Sequence, residues 1–280
     1  KTAYEIRPRD WSSDVCSSDL VELHDGVLTL TLNRPDAKNA LTVAMRDGIT
    51  EAAREARANP DVRAVLIRGA GDAFCSGMDL GASTVMQAGK PGFRTRMTSE
   101  ALRIGVQAYT RELWELDKPT IAAVNGAAVG PGAHLALACD FVLVTPRTKF
   151  IWTFPKWGLV VDAGGAYLLP RLVGLPRAKA LVMLGESIAG NDAVGEGHAY
   201  RCVEADALAA ESEALAARLA AGPTRSLGLS KRLLNASFET DLADSLELEG
   251  HFQALATTSP DLLEGMAAFR EKRDADFDGS

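Results

Sequence analysis

The stretch at residues 122–140, AAVNGAAVGPGAHLALACD, constrains what this chain can fold into more than any other. It runs from strand-like apolar residues through a loop of Gly and Ala into an apolar helix. Small residues belong where a backbone must approach a ligand closely. The N–H groups that open a helix lack intrahelical partners and can hold a developing negative charge. A second small-residue turn lies upstream, GDAFCSGMDL at 71–80, after another apolar run. Two such turns suit a site whose main-chain donors polarise a carbonyl, which is acyl-group chemistry.

The remaining chain places these turns in an alternating α/β pattern. Strands are expected at 21–24 and 27–32, joined by Asp25-Gly26, a strong hairpin signal. Val43, Met45, Ile49, Ala52, Ala53 and Ala56 recur at helical spacing, predicting a helix over 42–58 that Asn59-Pro60 ends. Further strands are expected at 62–67, 119–124 and 141–144, with helices at 99–116 and after Pro131. Residues 81–98 lack periodicity and read as a mobile loop, a lid over a pocket. Strands alternating with helices predict an α/β fold. No G-x-G-x-x-G follows the first strand, which argues against a doubly wound nucleotide fold. From Pro176 onward the chain is Ala- and Leu-rich, with helices expected at 176–184, 206–221, 225–237, 239–256 and 260–271. Their apolar faces suit subunit contacts.

Composition narrows the function. A net charge of -7 and a pI near 5.2 disfavour a nucleic-acid surface. No apolar run approaches the roughly 20 residues that span a bilayer, so no membrane partner is expected. Cys16, Cys75, Cys139 and Cys202 form no CxxC pair and no metal-ligand spacing. No metal is therefore expected, and the reading is a reducing cytoplasmic compartment. Cys75 lies inside the first turn, where packing is a better reading than a nucleophilic thiol. Residues 10–20, DWSSDVCSSDL, resemble the translation of a sequencing adapter. Segment 1–20 is set aside as a read artefact, disordered or non-native.

In order and spacing, NRPDAKNAL at 33–41, AFCSGMDL at 73–80 and the 124–140 stretch resemble the crotonase family, the enoyl-CoA hydratase/isomerase superfamily. GLVVDAGG at 158–165, LPRLVG at 169–174 and GMAAFREKR at 265–273 extend the resemblance over 21–273. It implies the crotonase fold, a right-handed spiral of repeated ββα units in residues 21–205. A helical trimerisation module would follow in 206–280. It also implies an acyl-CoA substrate, enolate stabilisation by two backbone N–H groups, and a homotrimer or hexamer. No permanently bound cofactor is implied; coenzyme A enters as part of the substrate.

Carried over by motif, the first oxyanion donor is Met78. The second position falls on Pro131, which has no N–H; Gly132 is the neighbour that could serve after a small shift. Family hydratases use two glutamates, and those positions hold His134 and Phe154 here, which argues against ordinary hydration. Asp162 stands where family isomerases and a dehalogenase branch carry a base or nucleophile. Its alternative reading is a helix cap for 163–169. His134 reads either as a packed helix histidine or as a neutral imidazole sharing protons with Asp162 or holding a water. Arg34 and Lys38 are expected at the phosphates of coenzyme A, Ser76 at the adenine end, and Lys272 or Arg273 at a neighbouring subunit's 3′-phosphate. A solvated charged face is the alternative for each of these charged residues. Trp152, Phe154 and Trp157 read as core or as substrate wall. The leading expectation is enoyl-CoA isomerase. Alternatives are a hydratase using Asp162 and His134, a hydrolase or dehalogenase with Asp162 as nucleophile, and a CoA-thioester binding protein with degraded catalysis.

Overall fold

The computed structural model describes residues 19–79, 81, 90 and 95–280. The Asp25-Gly26 turn joins β1 (Asp19–His24) to β2 (Val27–Leu32), as its sequence predicts. Most of segment 1–20 lies outside the described residues, but β1 opens at Asp19, inside it. In β2, Leu28, Leu30 and Leu32 point into the core while the residues between them are half-buried. β3 (Ala64–Gly69), β4 (Thr120–Val124), β6 (Phe141–Val144) and β9 (Arg201–Cys202) complete a six-stranded sheet. Its order is β1-β2-β3-β4-β6-β9, parallel except for the first pair.

Strands β3, β4 and β6 read as continuous apolar runs because both faces of the sheet are covered. One face, with Val65, Ile67, Ala122 and Val124, packs with residues of α1 (Val43–Ala58), α3 (Val106–Trp114) and α4 (Pro131–Leu137). Leu66, Ile121, Ala123 and Leu143 point the other way, against Leu208, Ala216 and Ala220 of α7 (Leu208–Ala220). A helix expected in the terminal module thus covers the main sheet.

Three short strands form a second sheet, ordered β5 (Ala127–Val129), β7 (Lys149–Ile151) and β8 (Ser187–Ala189). Each follows a main-sheet strand or a helix, giving the β-β-helix spiral. These three-residue strands are too short for a period-2 signal, so sequence periodicity does not find them. Two helix boundaries also need correcting. α2 (Thr95–Ile104) starts inside the expected loop 81–98, the rest of which lies almost wholly outside the described residues. The single helix expected at 99–116 is broken at Gly105, where a Cβ would strike the Arg46 guanidinium and the Ala101 carbonyl.

After Asp162 the chain enters α5 (Gly165–Leu184), interrupted at Gly174 (φ 76°, ψ 158°). The last helices are α8 (Thr224–Ala236), α9 (Leu242–Ala256) and α10 (Pro260–Glu271). Asp241 and Ser259 cap α9 and α10 by accepting from main-chain N–H groups. Lys231 anchors α8: its Nζ pairs with Asp140 at 2.9 Å and donates to the Leu113 carbonyl at 3.0 Å. Leu234, Leu263 and Phe269 nevertheless remain 71, 70 and 86% exposed.

Candidate active site

The two small-residue turns are sewn to one another through β5. Cys75 N–H donates to the Ala127 carbonyl at 3.0 Å, and Val129 N–H donates to the Cys75 carbonyl at 2.9 Å. Glycine is required on both sides of this seam. Gly77 has φ +94°, and a Cβ there would sit 3.0 Å from the Val129 carbonyl oxygen. A Cβ on Gly132 would lie 2.5 Å from the Cys75 carbonyl oxygen. Cys75 itself is fully buried.

The 33–41 motif braces the first turn from its other side. Leu41 N–H donates to the Gly77 carbonyl at 2.8 Å, and Asp79 N–H donates to the Leu41 carbonyl at 2.9 Å. These bonds flank Met78 in a parallel bridge, so the Met78 N–H faces away from Leu41. Asn39 ties the knot. It is fully buried in the left-handed region (φ 54°), accepts from Arg34 N–H at 2.8 Å and donates to the Ala70 and Ala73 carbonyls at 2.9 and 2.7 Å. Sequence reasoning places this asparagine inside a motif and misses its role. The available signal is an Asn, the residue type that best tolerates a left-handed turn, beside a 3-10 turn.

The second turn passes Gly130 (φ 50°, ψ -119°) into α4, with Pro131 at its first helical position. Tyr109, fully buried, donates its hydroxyl proton to the Pro131 carbonyl at 3.0 Å. His134 N–H is taken up by the Gly130 carbonyl at 3.1 Å. Gly132 and Ala133 N–H precede it at the open end of the helix.

His134 and Phe154 meet ring on ring, with centroids 5.9 Å apart and planes within 6°. The imidazole is fully buried. Its Nε2 accepts from the Trp152 indole N–H at 3.0 Å, and the Asp162 main-chain carbonyl acts on the ring as a further acceptor. Burial pushes its pKa down to about 3, against a smaller upward pull from the Asp162 main-chain carbonyl, so it is neutral at physiological pH. Trp152 and Phe154 are both buried, whereas Trp157 is 58% exposed.

Asp162 precedes a left-handed pair, Ala163 (φ 45°) and Gly164 (φ 78°), which turns the chain into α5. The Thr110 hydroxyl lies between this turn and its own helix, 3.2 Å from the Ala163 carbonyl and 2.8 Å from the Val106 carbonyl, which share its one proton. The helix cap is Gly164 with no side-chain bond, so the carboxylate of Asp162 does not make the capping contact that its alternative reading requires. Among the described residues its buried Oδ1 meets no hydrogen-bond partner, and burial raises its pKa to about 6. Tyr109 lies close enough to feel that charge: burial raises its pKa first, then Cys75 and Asp162.

Of the residues expected at coenzyme A, Arg34 and Ser76 are engaged in the scaffold, whereas Lys38 and Lys272 are exposed. Arg34 Nη1 donates to the Ala40 carbonyl at 2.6 Å and pairs with Asp79 at 3.2 Å. Ser76 N–H donates to the Lys38 carbonyl at 2.9 Å, and its hydroxyl donates to the Ala37 carbonyl at 3.2 Å. Lys38 is exposed at the end of the 3-10 turn Pro35–Ala37. Lys272 is exposed beyond α10, and Arg273 beside it pairs with Glu264 and Glu271.

This arrangement has known counterparts. The family profile described as Enoyl-CoA hydratase/isomerase matches residues 22–280. The 1,2-epoxyphenylacetyl-CoA isomerase of Escherichia coli K12 is 38% identical over 260 residues, covering 93% of this chain and 98% of that protein. The crotonyl-CoA hydratase of Syntrophomonas wolfei is 32% identical, covering 92% of this chain and 96% of that protein. The crystal structure of a candidate enoyl-CoA hydratase from Streptomyces coelicolor A3(2) superposes with a TM-score of 0.90 at 36% identity. It covers 100% of this chain and 98% of its own.

Proposed function

Since this chain belongs to the enoyl-CoA hydratase/isomerase family, we propose that it is an isomerase of enoyl-CoA thioesters that works through an enolate, with Asp162 as the proton carrier. The observation that carries this reading is the stacked His134–Phe154 pair. Hydration needs one group to activate water and another to protonate carbon. Here the two positions expected to supply them hold a neutral, buried imidazole and a phenyl ring.

A double-bond shift needs less. One carboxylate takes a proton from one carbon and returns it to another. Asp162 suits that role, because a carboxylate with a pKa near 6 accepts a proton from carbon and releases it readily. The enolate oxygen developing on the thioester would be held by the Met78 N–H and by Gly132 N–H at the start of α4. Each such donor is worth about 3–4 kcal/mol of transition-state stabilisation. Coenzyme A is read as part of the substrate, not as a resident cofactor. Lys38, exposed on the loop that braces Met78, is the stronger of the two proposed phosphate ligands there, because Arg34 is already paired.

Among the described residues no helix is long and apolar enough to cross a membrane. A cytoplasmic homotrimer or hexamer, built through the exposed apolar faces of α8 to α10, completes the reading. The test compares two rates on one acyl chain, isomerisation of a 3-enoyl-CoA and hydration of the 2-enoyl-CoA. Hydration faster than isomerisation would overturn it.

A further inference from the structure

His134 sits in a cage that proton transfer by Asp162 does not by itself require. The Trp152 indole occupies Nε2, Phe154 covers a ring face, and a Cβ on Gly165 would collide with Cε1 and Nε2. The main-chain carbonyl of Asp162 acts on the imidazole from nearby. Trp152 is itself fully buried and fixed by rings: Phe150 stacks on it at 6.5 Å, and His198 lies tilted at 5.8 Å.

An indole N–H can only donate, so Nε2 must present its lone pair and the ring proton must sit on Nδ1. To take a second proton the imidazole would have to give up that bond. The indole N–H would then be left buried without a partner, an unfavourable state. The geometry points to Trp152 as a positioning residue that keeps His134 out of proton transfer. By occupying Nε2, it makes the imidazole a neutral wall and confines the migrating proton to Asp162 and the substrate. The inference rests on the isomerase reading above and adds to it a route for the proton.

That route is specific. A C–H bond at carbon 2 of a 3-enoyl-CoA breaks, its electron pair enters the dienolate, and the proton passes to the Asp162 carboxylate. The carboxyl O–H bond then breaks as a new C–H bond forms at carbon 4. With His134 sealed, the imidazole offers no path by which this proton exchanges with solvent.

The experiment uses the full-length protein and 3-hexenoyl-CoA carrying deuterium at carbon 2, with mass spectrometry reading deuterium at carbon 4 of the product. Native protein should transfer label; none transferred would overturn the inference. Trp152→Phe frees Nε2 beside a space that a water can enter. Its label transfer should fall at least about threefold while KM stays within about twofold. Adding His134→Phe to that variant should restore the native fraction, since no imidazole remains to exchange the proton. Native-level transfer in Trp152→Phe would overturn the inference. Should Trp152→Phe not fold, His134→Phe alone decides. Native-level transfer supports the inference, and lost transfer or a kcat fall of about a hundredfold would put the imidazole on the proton path and overturn it. Asp162→Asn separates the two readings. If it keeps full turnover, the isomerase mechanism itself fails. If it abolishes turnover while Trp152→Phe transfers label normally, this inference alone fails.

Discussion

Arg34 and Asp79 are joined through a single carboxylate oxygen, with both terminal guanidinium nitrogens 3.2 Å from Asp79 Oδ2. Asp79 follows Met78 directly, and Arg34 Nη1 also donates to the Ala40 carbonyl. The pair therefore clamps the 33–41 loop onto the turn that presents the Met78 N–H. Arg34→Ala and Asp79→Asn should each lower kcat about tenfold with a smaller change in KM, since a misplaced donor acts on the transition state. The double variant should lose less than the product of the two, a coupling of about 1 kcal/mol for a partly exposed pair. A raised KM with kcat untouched in Arg34→Ala would instead return Arg34 to the phosphate-binding role.

Asp162 must be ionised to remove a proton from carbon. Its pKa is raised to about 6 by burial, so kcat/KM should climb about tenfold per pH unit below 6 and level off above it. His134, held down near 3, adds no second limb between pH 6 and 8. Asp162→Asn should lower kcat at least about a hundredfold and leave CoA affinity nearly unchanged. A profile flat from about pH 5 to 8 would remove Asp162 from the role of base.

Pro131 tests the second donor. If Gly132 N–H already serves, Pro131→Gly should change kcat by no more than about twofold. Its stability should fall by about 0.4–1 kcal/mol, measured by urea unfolding, because the unfolded chain gains freedom. If the site truly lacks a donor, restoring an N–H should raise kcat by about a hundredfold. The Tyr109 hydroxyl bond to the Pro131 carbonyl keeps the turn in place in either case, because proline and glycine carry the same carbonyl.

How far the sequence reaches depends on the range over which each residue acts. The Asp25-Gly26 hairpin and the strand-turn-helix at 122–140 are local, and chain chemistry alone predicts them. Asn39 escapes such a reading because its partners, Ala70 and Ala73, lie more than thirty positions away in sequence. The character of His134 stays open at that level for the same reason. Its state is set by Trp152, eighteen positions on and brought beside it after β7. The need for glycine at 105 likewise depends in part on Arg46 of α1, which no pattern within the α2–α3 segment reveals.

Two buried histidines should make the protein acid-sensitive. His198 is 2% exposed, neither ring nitrogen has a hydrogen-bond partner among the described residues, and burial lowers its pKa to about 4. His134 is lowered to about 3. In the unfolded chain both protonate near 6.5, so between there and pH 4 the unfolded state binds more protons. The stability they confer is complete above about 6.5 and is lost as pH falls. Asp162 acts with the opposite sign, its raised folded pKa favouring the folded state below 6, but its shift is smaller than those of the two histidines together. Each histidine contributes a slope of up to about 1.4 kcal/mol per pH unit. Tm should therefore be lower at pH 5 than at pH 7, and His198→Phe should flatten that dependence. An equally steep dependence in the variant would count against the assignment.

Assembly is the last expectation. Leu234, Phe238, Leu242, Leu263, Met266 and Phe269 are all more than half exposed on the terminal helices and the α8–α9 connection. An isolated subunit would leave that apolar surface in water, at a cost of about 1.5–3 kcal/mol for each large side chain that could otherwise be buried. Light scattering at micromolar concentration should report a multiple of the 29.7 kDa chain, three or six. Leu263→Glu with Phe269→Glu should shift it to the monomer while circular dichroism stays native, since neither side chain supports the fold of one subunit. Lys272, which ends α10 three residues after Phe269, then becomes testable as a ligand for a neighbour's substrate. If it reaches across an interface, Lys272→Ala should raise KM in the native assembly and have no further effect in the monomeric background. An equal effect in both would confine Lys272 to its own subunit, and a native monomer would remove the assembly reading altogether.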